Sequence, residues 1–180
     1  MWSIFFILVT IIIIFILWTI SVHQNLTLLN KEVCSAMSHT GYNLSSRFDV
    51  LISLLNIVKT YNEPASNELM RCLNLAKSEI TEKSAPKDVF NQEKLIDDTL
   101  INIINISNNY PELRANDCYI KTLESLEAYN DMARTNRFIY NDCVTKLNRE
   151  IRIFPVSWIA SFLGFTGKKY LEKEESNRIF

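Results

Sequence analysis

The sequence predicts an all-α protein: an N-terminal transmembrane helix that continues into an antiparallel four-helix bundle with two long and two short helices. Three observations predict it. Residues 1–22 carry no charged side chain and are mostly Ile, Leu, Phe, Val or Trp, enough to cross a bilayer core of ~30 Å at ~1.5 Å per residue. Beyond them, apolar residues recur every three or four positions with few interruptions, the spacing of one helix face. Only three glycines and four prolines occur in 180 residues, which argues against sandwiches, barrels and glycine-rich phosphate loops.

The apolar segment reads as a retained anchor. A cleavable signal peptide has a basic start, a shorter apolar core and a small-x-small cleavage site. Here no Lys or Arg precedes the run, and Trp18-Thr19-Ile20-Ser21-Val22 offers no such site. Trp2 and Trp18 stand near its two ends, where indole rings favour the membrane interface. With Phe5, Phe6, Ile11, Ile12 and Phe15 they make up the expected anchor. The first lysine after the span is Lys31, and the positive-inside bias then leans toward a cytoplasmic body.

The remaining chain is expected to form one unit over 23–155, followed by a short amphipathic segment and tail over 156–180. Helix 1 runs on from the membrane over 23–61. Its seam is Leu26, Leu29, Val33, Met37, Leu44, Phe48, Leu51, Leu55 and Val58, with one slot skipped near Gly41. Asn62-Glu63-Pro64 stops it. Helix 2 is expected over 64–83, begun by Pro64 and burying Leu69, Cys72, Leu73, Ala76 and Ile80. Helix 3 is expected over 87–108, with Phe90, Ile96, Leu100, Ile103 and Ile104 inward. Helix 4 is expected over 116–154, capped by Asn116 and closed by Pro155; its seam from Tyr119 to Phe154 carries two polar members, Asn130 and Arg137. Such residues fix register and partner choice at some cost in stability.

Two expectations follow from helix lengths. The long helices span ~60 Å and the short pair about half that, so the short pair covers only the distal half of the long one. The uncovered proximal seam then invites a second copy or a partner helix. With residue 61 opposite 116, Arg47 falls near Asn130, facing Glu127 and Asp131, while Arg137 falls opposite His39 and Thr40. The segment after Pro155 is delivered to the membrane surface. Its Trp158, Phe162 and Phe165, followed by Lys168 and Lys169, suit an interfacial helix with lysines among headgroups. They also suit a short helix packed on the open proximal half.

Catalytic chemistry is sparse. His23 and His39 stand alone, without a second His at i+4 or a carboxylate cluster. Cys34, Cys72, Cys118 and Cys143 lie far apart without a C-x-x-C pair, so zinc spacing is absent; they read either as small apolar side chains in helix interiors or as two disulfides. The acidic pairs read as solvated helix faces. Three N-x-S/T sequons, at Asn25, Asn43 and Asn105, fall within predicted helices rather than loops. A net charge of −1 leaves no electrostatic footprint for nucleic acid. No cofactor, metal or catalytic residue is expected.

The stretch Asn109-Tyr110-Pro111-Glu112-Leu113-Arg114-Ala115-Asn116 resembles the element before the last helix of LemA family proteins. Arg137, Tyr140-Asn141, Asn148, Ile151, Phe154-Pro155, Gly164-Phe165 and Tyr170 extend the resemblance. Arg47-x-Asp49 with Leu51, Leu54, Val58-Lys59 and Tyr61 resembles the family's first-helix motif. The chain departs at Ile52-Ser53, usually Pro-Asn; at Asn130, usually acidic; at Leu147, usually tyrosine; and at Pro155-Val156, usually Pro-Gly. The resemblance implies a bacterial single-pass membrane protein, N-terminus outside and helical body cytoplasmic, and implies no catalytic residue. The expected role is a non-catalytic interaction or scaffold protein binding the bilayer and a homo-oligomer or helical partner, with Arg47, Asn130, Arg137, Tyr140 and Asn141 as its polar residues. Alternatives are a membrane-surface sensor, or an enzyme accessory subunit using Arg137, Tyr140 and Asn141.

Overall fold

A computed structural model describes residues 2–171, so the tail expected over 172–180 lies outside the described residues. These form six helices and no strand: α1 (Trp2–Lys59), α2 (Glu63–Ala76), α3 (Pro86–Ser107), α4 (Pro111–Arg114), α5 (Asp117–Glu150) and α6 (Val156–Phe162). α1 is continuous for 58 residues, because no proline and only one glycine, Gly41, interrupts it. By length and composition its N-terminal part is able to cross a membrane, and from Phe5 to Leu17 its large apolar side chains other than Val9 are exposed.

Helix starts follow the local signals. The Asn62 side chain accepts from the Ala65 N–H at 3.2 Å at the head of α2, and Pro64 sits in that first turn. Asp88 accepts from the Ala85 N–H at 2.9 Å ahead of α3. Asn116 accepts from Cys118 and Tyr119 at 2.8 and 3.3 Å ahead of α5. Each satisfies donors that a helix leaves open.

Helix ends depart from the sequence reading. α2 stops at Ala76, not 83. Gln92 on α3 replaces the missing turn, donating to the Ala76 carbonyl at 3.1 Å and accepting from the Ser78 N–H at 2.9 Å. The following loop buries Ile80 against Gly41, where any Cβ would overlap the Ile80 carbonyl oxygen. The slot skipped in the α1 seam is therefore a backbone crossing point. Cys72 and Ala76, expected inward, are exposed. On α3 the buried residues are Val89, Gln92, Ile96, Thr99, Ile103 and Ser107; Phe90 and Leu100, expected inward, are half-buried, and Ile104 is exposed. α5 ends at Glu150, four residues before the expected 154, because tight turns at Arg152 and Ile153 wind the chain off ahead of Pro155.

α1 is the spine. α5 lies along it, α2 and α3 pack on its C-terminal part, and α6 packs on it at Trp18, Val22 and Leu26, where the uncharged segment ends. Asn43 donates to the Tyr129 carbonyl at 3.3 Å, so Asn43 rather than Arg47 stands opposite 129–130, about one turn from the expected register. α3 leans on α1 and stands off from α5 instead of closing against it.

The proximal seam is not left open. After α6 the chain runs back along α5 as an extended strap over residues 166–171, ending on buried Leu171 in the main core. Gly164, at φ 77°, makes the reversal; the left-handed backbone there suits glycine.

A charged cleft and a clamped strap

The gap between α3 and α5 is an open cleft of about 840 Å³. Phe90, Glu93, Lys94, Asp97 and Asp98 line its α3 wall; Asn130, Ala133, Arg134 and Arg137 line the α5 wall; Lys169 and Tyr170 of the strap close one end. Arg47 of α1 lies at its base and is 5% exposed.

Arg47 Nη2 reaches Asp97 Oδ1 at 3.4 Å; its Nε has no hydrogen-bond partner within the protein. Burial pulls the guanidinium below its ordinary pKa, Asp97 and Glu93 hold it up, and Arg137 opposes them. Asn43 Oδ1 and Asn130 Oδ1 are likewise buried without a partner. Arg137 Nη2 contacts Glu93 Oε2 at 2.6 Å, and its guanidinium lies 5.7 Å from the centre of the Phe90 ring. The lining holds six cationic side chains and three carboxylates. It thus favours an anionic group, with unpaired donor and acceptor atoms at its base.

This geometry redistributes the residues expected to act together. Arg47, Asn130 and Arg137 do share the cleft. The partners of the two arginines come from α3, as Asp97 and Glu93, not from Glu127, Asp131, His39 or Thr40; Asp131 pairs with Arg134 on its own helix. Tyr140 and Asn141 are drawn away to the strap. The Tyr140 hydroxyl donates to the Lys169 carbonyl at 3.1 Å, and burial pushes that phenol up, keeping it a donor. Asn141 exchanges two hydrogen bonds with Leu171, at 3.1 and 2.8 Å. Asn148 does the same with Lys168, at 2.9 and 2.8 Å.

The clamp has a simple metric basis. Seven helical residues advance ~10.5 Å, and three extended residues advance ~10 Å. Asn141 and Asn148 therefore meet Leu171 and Lys168 in step. Sequence reasoning had Asn148 only as part of a resemblance; the asparagine pair at i, i+7 on one helix face was the signal.

The residues expected at the membrane surface separate too. Trp158 and Phe162 are exposed on α6, whereas Phe165 is half-buried, its ring 6.3 Å from that of His23. Lys168 and Lys169 ride on the strap along α5, not beside α6, because their backbones are bonded to Asn148 and Tyr140. The four cysteines are free thiols; Cys72 and Cys118 are exposed and Cys34 and Cys143 half-buried. Among the described residues no group of three His, Cys, Asp or Glu side chains converges as metal ligands would.

No curated protein matches this chain. The model of the LemA family matches residues 36–179, a span that takes in the cleft, the clamp and the strap, and the chain belongs to the LemA family.

Proposed function

We propose that the chain is a non-catalytic interaction protein of the bacterial inner membrane, crossing it once with its N-terminus outside and its helical body in the cytoplasm. It engages an anionic stretch of a partner protein in the α3–α5 cleft. One observation carries this reading: Arg47, at the cleft base and buried, keeps an unpartnered Nε beneath a lining richer in cations than carboxylates. An arginine held there costs desolvation, and an apolar residue of similar size is often as stable or more so. The accessory-enzyme reading loses ground, since Tyr140 and Asn141 are engaged with the strap.

The test uses the full chain in mild detergent and a fluorescein-labelled glutamate-rich peptide as probe. Arg47→Met is expected to hold or raise the denaturation midpoint while weakening peptide binding by about tenfold or more, the worth of one charge-assisted contact of ~1.5–3 kcal/mol. Wild-type binding should weaken with added salt, as exposed charge interactions do. Equal binding by wild type and variant sinks the reading. Orientation is read separately from exposed Cys72 and Cys118. A membrane-impermeant thiol reagent should miss both in intact cells and label both after lysis; labelling in intact cells puts the body outside.

A further inference from the structure

α6 has two faces. Val156, Ile159 and Ala160 pack on Val22, Leu26 and Trp18 of α1. On the other side Phe154 is 70%, Trp158 75% and Phe162 91% exposed, with the Phe154 and Trp158 rings edge to face at 5.6 Å. Three large aromatic side chains within nine residues, turned from the protein, form an apolar patch that water covers poorly.

The level of this patch names its occupant. Trp18, part of the docking surface for α6, belongs to the uncharged segment that ends at Val22. The aromatic face therefore stands at the axial level of the apolar end of α1, where Leu17 and Ile20 are exposed. Ile151, at the end of α5, also packs into this small cluster, so exposed Arg149 and Arg152 stand at the same level. Neither arginine forms an ion pair among the described residues. Aromatic rings in the acyl boundary with arginines beside them is the arrangement of an interfacial helix on an anionic leaflet.

We propose that α6 lies in the headgroup region of the bilayer that α1 crosses, with Phe154, Trp158 and Phe162 at the acyl boundary and Arg149 and Arg152 on lipid phosphates. It thereby sets the height and tilt of the helical body over the membrane. The proposal rests on the reading that residues 2–22 span the bilayer, and is independent of the cleft.

The experiment uses the full chain, its four cysteines replaced by serine, reconstituted at high dilution in vesicles of phosphatidylcholine and phosphatidylglycerol. A nitroxide is placed by Phe162→Cys, by Ile12→Cys within the span, or by Ala128→Cys on α5, and its accessibility to oxygen and to a water-soluble nickel chelate is read. The label at 162 is expected to fall between those at 12 and 128, gaining oxygen and losing nickel accessibility relative to 128 but less than the label at 12 does. Trp158→Glu should return it toward the aqueous values of 128. An aqueous label at 162 beside a lipid-exposed label at 12 overturns the proposal and leaves the span intact. Aqueous values at both positions overturn the span as well. Dipolar broadening between labels at 162 in dilute vesicles gives this face to a second copy and also overturns the proposal.

Discussion

Replacing Asn141 and Asn148 together by alanine is expected to release the strap while leaving the helices folded. Each asparagine makes two hydrogen bonds to strap backbone, and one such bond contributes a net ~1 kcal/mol. Four bonds make a loss of about 3–4 kcal/mol, equivalent to an exchange rate on the order of a hundredfold to a thousandfold faster at the amides of Lys168 and Leu171. Leu171 and Tyr140 lose their cover at the same time, so the midpoint of global unfolding falls too. Asn148→Asp separates the components: its carboxylate still accepts from the Lys168 N–H but no longer has an amide to donate to the Lys168 carbonyl. It should show an intermediate acceleration. Unchanged exchange at Lys168 and Leu171 in the double variant would mean that Leu171 burial alone holds the strap.

Phe48→Ala is expected to lower stability by about 3–5 kcal/mol, the usual cost of deleting a large buried ring and leaving a cavity. Phe48 is 1% exposed in the main core, and Lys77 from the α2–α3 loop sits 5.2 Å from its ring centre. A domain holds only about 5–15 kcal/mol in all, so this single change takes a large share. Phe138→Ala on α5, where the ring is 75% exposed, should stay within about 0.5 kcal/mol. Urea denaturation of the full chain in micelles checks the pair; equal shifts in midpoint for the two variants would contradict the burial pattern. An unchanged slope would assign the Phe48→Ala loss to packing rather than to a changed unfolded state.

Much of this was legible before folding. The uncharged run of residues 1–22, the cap at Asn116, the proline at 64, and the three-four spacing through Phe48, Leu51, Leu55 and Val58 each act within a turn or two of chain. Local chemistry decides them: a side-chain oxygen near open N–H groups, a ring that presets φ, an apolar face that must leave water. The resemblance to LemA proteins was carried by short motifs and agrees with the family match over residues 36–179.

What the tertiary structure alone decided is who faces whom. A helical period tells which side of a helix is apolar, not the axial register of its neighbour. α5 slipped by about one turn, and the partner of Arg47 came from a third helix, as Asp97 of α3 rather than Glu127 or Asp131 of α5. The end of α2 depended on Gln92, distant in sequence, and on room for a carbonyl at Gly41. The sequence allowed a short helix packed on the open half of the seam, but an extended segment has no helical period to read, so nothing marked residues 166–171 as a strap bonded to α5. Tyr140 and Asn141 looked like a functional pair because polar residues on a seam must be satisfied by something. Nothing local says whether that something is a ligand or the chain's own backbone, and here the returning strap supplies it.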